Sequence, residues 1–151
     1  MRLFLLTVFL CGLTCPVFSP LRAQSQMELN QTAADSLAAA EKEMGDTLQK
    51  IVTIYSDEKL FLEKLVGSQK AWETYCKSQM DALFPLEKGR DPSQEYGSSY
   101  PMAHDLEKEK LVRERIARLK VWLDGVEEGD IGAGSVYSKD MIRELQSGGA
   151  K

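Results

Sequence analysis

The sequence predicts an all-α protein: three long helices packed as an antiparallel bundle, a long loop between the second and third, and a flexible C-terminal tail. Three observations carry that reading. Three long segments repeat their large apolar residues every three or four positions, the period of a single helix face. One interval, 85–101, abruptly gathers proline, glycine, serine and tyrosine. The 151 residues, 43% hydrophobic and 28% charged, leave room for one globular domain and hardly more.

The first helix is expected from Met27 to about Tyr55–Asp57. This stretch has no proline, a single glycine (Gly45) and many strong helix formers. Met27, Ala34, Leu37, Met44, Leu48, Ile51 and Tyr55 set its apolar stripe. Ser25 or Gln26 opens it, and Glu28, three residues after Ser25, completes the pattern of a capping box. The second helix runs from about Asp57 to Phe84, where Pro85 stops it. Phe61, Leu65, Trp72, Cys76 and Leu83 share one face, with Leu62 and Met80 beside it.

Between Pro85 and Pro101 no helical stripe exists. Gly89, Pro92, Gly97, Ser98 and Ser99 mark a loop long enough to be a binding segment. The third helix spans about Pro101 to Leu123, with proline at its start and Gly125 just beyond its end. Val112, Ile116, Leu119 and Leu123 form its apolar face, extended by Met102 and Leu106. The other side alternates Glu107, Lys108, Glu109, Lys110, Arg113, Glu114, Arg115 and Arg118, the pattern of a solvated surface laced with close ion pairs. Residues 125–151 are rich in glycine and acid, and are expected to be a mobile tail with at most a two-turn helix between Ser138 and Gln146.

Ahead of the helices, residues 1–23 have the features of a secretory signal. Arg2 is followed by an apolar run from Leu3 to Leu13, too short for the ~20 residues that span a bilayer. Leu21-Arg22-Ala23 offers a cleavage site after Ala23. Cys11 and Cys15 follow Val-Phe-Leu and Gly-Leu-Thr, which are not the Leu-small-small triplet of a lipoprotein. The expected destination is the periplasm or the exterior, with no stable membrane insertion after cleavage. Domain boundaries follow: 1–23 signal, 24–124 helical domain, 125–151 tail. Removing Arg2 and Arg22 lowers Lys+Arg from 19 to 17 against 23 acids, so the formal charge of −4 becomes −6. A chain this acidic does not suit nucleic acid, whose binding needs a cationic excess. Cys76 is then the only cysteine left, so packing rather than an internal disulfide must hold the fold.

Catalytic chemistry finds little support. His104 is the only histidine, which makes the inventory for a nucleophile-and-base pair thin and offers no imidazole cluster for zinc or haem. No phosphate loop, HExxH, GxSxG or calcium loop occurs. The sequence is therefore read as a non-enzyme that needs no metal or cofactor, with His104 a partly exposed polar residue and Cys76 a buried thiol.

Several segments, read together, resemble a known family. Ser25–Ala33 (SQMELNQTA), Ala40-Glu41-Lys42-Glu43-Met44, Ser68–Met80 (SQKAWETYCKSQM) and Leu111–Leu119 (LVRERIARL) are similar to the motifs of the LprI-like lysozyme-inhibitor domain, a family of small exported bacterial helical domains. Asn30, Ala33, Gln69, Ala71, Trp72, Tyr75, Arg115 and Leu119 fall on its pattern. Thr32 and Met80 stand where the family usually carries cysteines, and Cys76-Lys77 where it carries Arg-Asp. The resemblance implies a lysozyme inhibitor whose family disulfide has been replaced by packing. Among the motif positions, Asn30, Gln69, Trp72, Tyr75 and Arg115 read as structural, with Trp72 and Tyr75 as core anchors.

An acidic domain would be steered towards a cationic lysozyme, and inhibition would be steric. The loop at 85–101 is the natural contact segment, with Tyr96 and Tyr100 as aromatic contacts and Asp91 and Glu95 as acidic ones. The alternative is a cell-envelope interaction module, in which the charged face of the third helix or the tail docks another envelope protein.

Overall fold

Ser25 starts the first helix by closing the capping box. Its hydroxyl accepts from the Glu28 amide at 3.2 Å, while its own amide donates to the Glu28 carboxylate at 2.9 Å. From there the described residues form five helices: α1 Gln26–Ile54, α2 Lys59–Leu83, α3 Pro92–Tyr96, α4 Tyr100–Asp124 and α5 Lys139–Gly148. The computed structural model describes residues 25–148. The expected export signal, with Cys11, Cys15 and the cleavage site after Ala23, lies outside them. Among the described residues the fold is all-α, and the only β pairing is an isolated bridge between Val126 and Ser138. No helix among them is long and apolar enough to cross a membrane.

The closest packing in the molecule joins α1 to α4. The α1 face that meets α4 mixes small residues, Ala33, Ala40 and Thr47, with the larger Leu37 and Ile51, ending at Tyr55. Small side chains allow close approach of two helices. The one buried polar side chain of this face is satisfied locally, because the Thr47 hydroxyl donates to the Glu43 carbonyl at 2.7 Å. Met27, expected on the stripe, is 78% exposed, since the inward face runs through Ala33 and Ala40 instead. Leu37 and Ala40 pack with Val112 and Ile116 in one core cluster, and Ile51 and Tyr55 with Leu65, Leu119 and Ile142 in a second.

Contacts across this seam rise together in residue number: Asn30 with Ser98, Ser36 with Glu109, Glu43 with Lys120. Helices α1 and α4 therefore run parallel. Helix α2 runs against both, with Phe61 near Trp122, Gln69 bonded to Arg115 and Phe84 near His104. The three long helices thus alternate in direction along the chain, and the expected three-helix bundle is corrected to five helices among the described residues, with α3 and α5 added where a loop and a flexible tail are expected. A tight parallel pair forms the base, and α2 lies across it with only Leu65, Cys76 and Met80 buried. The charged side of the third helix also differs from expectation. Lys108 pairs with Glu41 at 2.7 Å, Lys120 with Glu43 at 2.8 Å, and Glu109 accepts from Ser36 at 2.9 Å. These charges edge the seam rather than facing only water.

The tail is not free. Gly125 ends α4 at φ +70°, and the chain returns so that the Val126 amide donates to the Tyr137 carbonyl at 3.1 Å and the Lys139 amide to the Val126 carbonyl at 2.9 Å. Tyr137 stacks on Tyr55 with centroids 4.3 Å apart, its amide donates to the Tyr55 hydroxyl at 3.0 Å, and its own hydroxyl donates to Glu58 at 3.0 Å. Ile142 of α5 is 3% exposed within the core. A ten-residue helix is marginal alone, and docking through Ile142 supplies what its length lacks. The expected flexible tail is thus corrected to a docked segment that completes the core around Tyr55.

Two consequences can be measured. At Gly125 a Cβ would stand 2.9 Å from the Lys139 backbone, at a φ that L-residues avoid. Gly125→Ala should lower stability by about 1–3 kcal/mol in thermal unfolding and speed amide exchange in 137–145. Acid should loosen the seam. Hydrogen bonding and charge from Lys120 lower the Glu43 pKa, and Arg113 followed by Ser36 lowers that of Glu109. A depressed carboxylate contributes its stability above the ordinary carboxylate range and loses it as pH falls through the depressed value. Melting temperature should therefore fall on acidification below about pH 4, and Glu43→Gln should flatten that dependence.

Candidate functional site

The segment joining α2 to α4 ends against a cluster of rings. Phe84, the last residue before Pro85, lies nearly perpendicular to Tyr96 and Tyr100, with ring centroids 5.7 and 5.4 Å away. Tyr96 and Tyr100 stack at 5.5 Å, and His104, one turn into α4, sits 5.5 Å from Tyr100 and 6.0 Å from Phe84. Edge-on and offset ring pairs of this kind stabilise beyond the area they bury. Three further contacts fix the loop. The Tyr96 hydroxyl donates to the Pro85 carbonyl, the Asn30 amide donates to the Ser98 carbonyl at 3.0 Å, and the Asp91 carboxylate accepts from the Ser93 amide at 2.8 Å.

Asp91 thereby caps the five-residue helix α3, whose first residue is Pro92. The sequence carries that signal as Asp-Pro, but a single helical turn has no stripe to reveal it. Of the four loop residues expected to contact a partner, Tyr96 and Tyr100 are brought together and half-buried, so each already serves the loop's own packing. Asp91 and Glu95 are exposed on α3, Asp91 as its cap. Phe84 and His104, the rings that buttress the two tyrosines, are not expected in this site from the sequence, where Phe84 reads only as a helix end and His104 as a partly exposed polar residue. Their signal was position alone: one residue before the loop and one turn after it.

The family-motif residues fall into three places. Asn30 holds the loop. Gln69 and Arg115 join α2 to α4: the Arg115 Nε donates to the Gln69 side-chain oxygen and its terminal nitrogen to the Ser68 hydroxyl, both at 3.1 Å. Gln69 also contacts the Met44 sulfur at 3.8 Å, and partial burial pulls the Arg115 pKa below its ordinary value. Trp72 packs against the Leu37–Ala40–Val112–Ile116 cluster. Tyr75, expected beside it as a core anchor, is 52% exposed, because it lies on the outer side of α2. That expectation is corrected.

Between α1, α2 and α4 lies a groove of about 470 Å3. Met44, Trp72, Cys76, Met80 and Val112 form its floor, and Glu41, Glu73, Lys77, Asp81, His104 and Lys108 its rim. Burial raises the Cys76 pKa, so the thiol stays protonated and inert at neutral pH. No group of three His, Cys, Asp or Glu side chains among the described residues could hold a metal ion. The arrangement is therefore one of shape and charge: a braced aromatic loop with an acidic turn, leading through His104 into an amphipathic groove.

The α2–α4 link has a direct test. Gln69→Ala leaves the partly buried Arg115 guanidinium short of an acceptor and should cost about 1–3 kcal/mol in chemical denaturation, whereas Tyr75→Ala should stay within about 0.5 kcal/mol.

Comparison with known proteins bears on the whole of this arrangement. The family model described as lysozyme inhibitor LprI matches residues 19–119, which take in α1, α2, α3 and most of α4. No curated protein and no solved structure matches the chain. With about two thirds of its length matched, including the braced loop and the groove, the chain belongs to the LprI lysozyme-inhibitor family.

Proposed function

We propose that this protein is an exported, non-catalytic inhibitor that binds a cationic lysozyme and blocks its substrate cleft sterically with the 85–101 loop. Family membership carries the reading. The loop supports it in a specific way: an inhibitor gains affinity when its contact segment is already ordered, because less conformational freedom is lost on binding. Here Phe84, Asn30 and the Asp91 cap hold the loop before any partner arrives. Glu95 stands exposed on α3, where a basic surface would meet it. A signal over residues 1–23 would deliver the chain to the compartment where lysozyme acts.

The envelope-module alternative uses the charged face of the third helix or the tail, and the tail packs on the protein's own core through Tyr137 and Ile142. Lys108, Arg113 and Lys120 already meet α1 carboxylates, which leaves less charge on that helix face for a partner.

The test is lysis of a peptidoglycan suspension by lysozyme in the presence of the purified protein. Lysis should slow in proportion to inhibitor added, and inhibition should weaken as salt rises. Glu95→Lys should raise the concentration needed by about tenfold. Unchanged lysis at a large molar excess would end the inhibitor reading.

A further inference from the structure

We propose that the groove between α1, α2 and α4 is a second contact site on the same face, built to receive an arginine or lysine side chain of the partner lysozyme. The inference rests on the lysozyme reading and adds to it, since it places a residue of the target inside the inhibitor.

The charges around the groove are unequal. Each lysine on the rim is matched: Lys108 to Glu41 at 2.7 Å, and Lys77 to Asp81 at 2.5 Å. Glu73 is the third rim carboxylate, and its partner is the neutral Gln69 amide at 3.4 Å. One negative charge on the rim is thus balanced by no lysine of the rim. Directly below it the floor is apolar and soft, with the Trp72 ring, the Met44 and Met80 side chains and the protonated Cys76 thiol.

A basic side chain satisfies both halves. Its methylene stem covers apolar surface while its charged head stays at the rim, a cation near an indole face is attracted by the ring, and a carboxylate–guanidinium contact adds a charge-assisted hydrogen bond. A neutral apolar guest would leave Glu73 unmatched, and an anionic guest would be repelled by it. At about 470 Å3 the groove has the size of an ordinary small-ligand site.

Position supports the same occupant. His104 lines the groove and touches Tyr100 and Phe84, so groove and loop form one continuous face. A basic protein seated on the acidic loop would bring its neighbouring cationic side chains over the rim. Trp72 is half-buried, so its ring is held by the α1–α4 core while part of it stays open to a guest.

The experiment has two arms. In the first, the Trp72 indole N–H resonance of the purified protein, assigned by its loss in Trp72→Phe, is followed during titration with arginine ethyl ester or with citrulline ethyl ester, which keeps the α-amine and replaces only the guanidinium by a neutral ureido group. The arginine ester should produce a saturable shift and the citrulline ester none, and Glu73→Gln should abolish the difference. In the second arm, Glu73→Gln should raise the protein concentration that half-inhibits lysozyme by about tenfold, with an unchanged melting temperature because Glu73 is exposed.

No shift with the arginine ester, or equal shifts with the two esters, overturns the groove proposal. So does wild-type inhibition by Glu73→Gln, and the lysozyme reading then stands. A specific arginine shift with no inhibition of lysozyme at any concentration overturns the lysozyme assignment and leaves the groove as a basic-side-chain site.

Discussion

The contact on which everything else depends is the parallel seam between α1 and α4. Its inner surface alternates small and large residues, with Ala33 buried near its start, Leu37 and Ala40 against Val112 and Ile116, then Ile51 and Tyr55 against Leu119. The alanines matter as much as the leucines, because close approach of the backbones lets dispersion contacts accumulate along the seam. The charged edge reinforces the same register, since Glu43 meets Lys120 while Ser36 meets Glu109. A parallel pair cannot be joined by a short turn. The chain must travel the length of the bundle between them, and α2 makes that journey.

Helix α2 is consequently both connector and cover. It crosses a finished seam with few buried residues, held by Leu65, Met80, the Gln69–Arg115 bond and the ring pair Phe61–Trp122. Because it does not close fully on α1 and α4, a groove remains beside Trp72 and Cys76. The same route leaves 85–101 to connect the end of α2 to the start of α4, at the end of the bundle where α1 begins. Asn30 can therefore reach Ser98. Loop and groove are two products of one topological requirement, which is why they share a face. At the other end, Tyr55 plays the organising part: wholly buried, it receives Tyr137 and Ile142 and converts the C-terminal segment into part of the core.

Much of this was legible in the sequence, and the failures have physical causes. The three long helices follow from periodicity, and the Ser25–Glu28 box from its spacing, because both are local signals. The loop announced itself by composition. Side-chain size in the sequence points the inward face of α1 through Met27, while the structure buries alanines to bring a helix close. The tail looked mobile because Gly125 and the acidic residues after it are local signs of a loop. What docks it is tertiary: Tyr137 on Tyr55, and Ile142 in the core. Among motif residues, Tyr75 and Trp72 stand three apart and share a pattern, yet only Trp72 meets the seam. The groove could not be read at all, since it depends on how far α2 stands from its neighbours.

The central claim is that a rigid seam presents one preformed face, loop and groove together, to lysozyme. Amide hydrogen exchange of the protein alone and with a molar excess of lysozyme tests it most directly. The account predicts that the buried seam, Leu37–Ile51 and Val112–Leu119, exchanges slowly in both states, while protection on binding is gained at 84–104 and along 72–81. Protection confined to 124–148, or no gain anywhere with lysozyme bound, would contradict it.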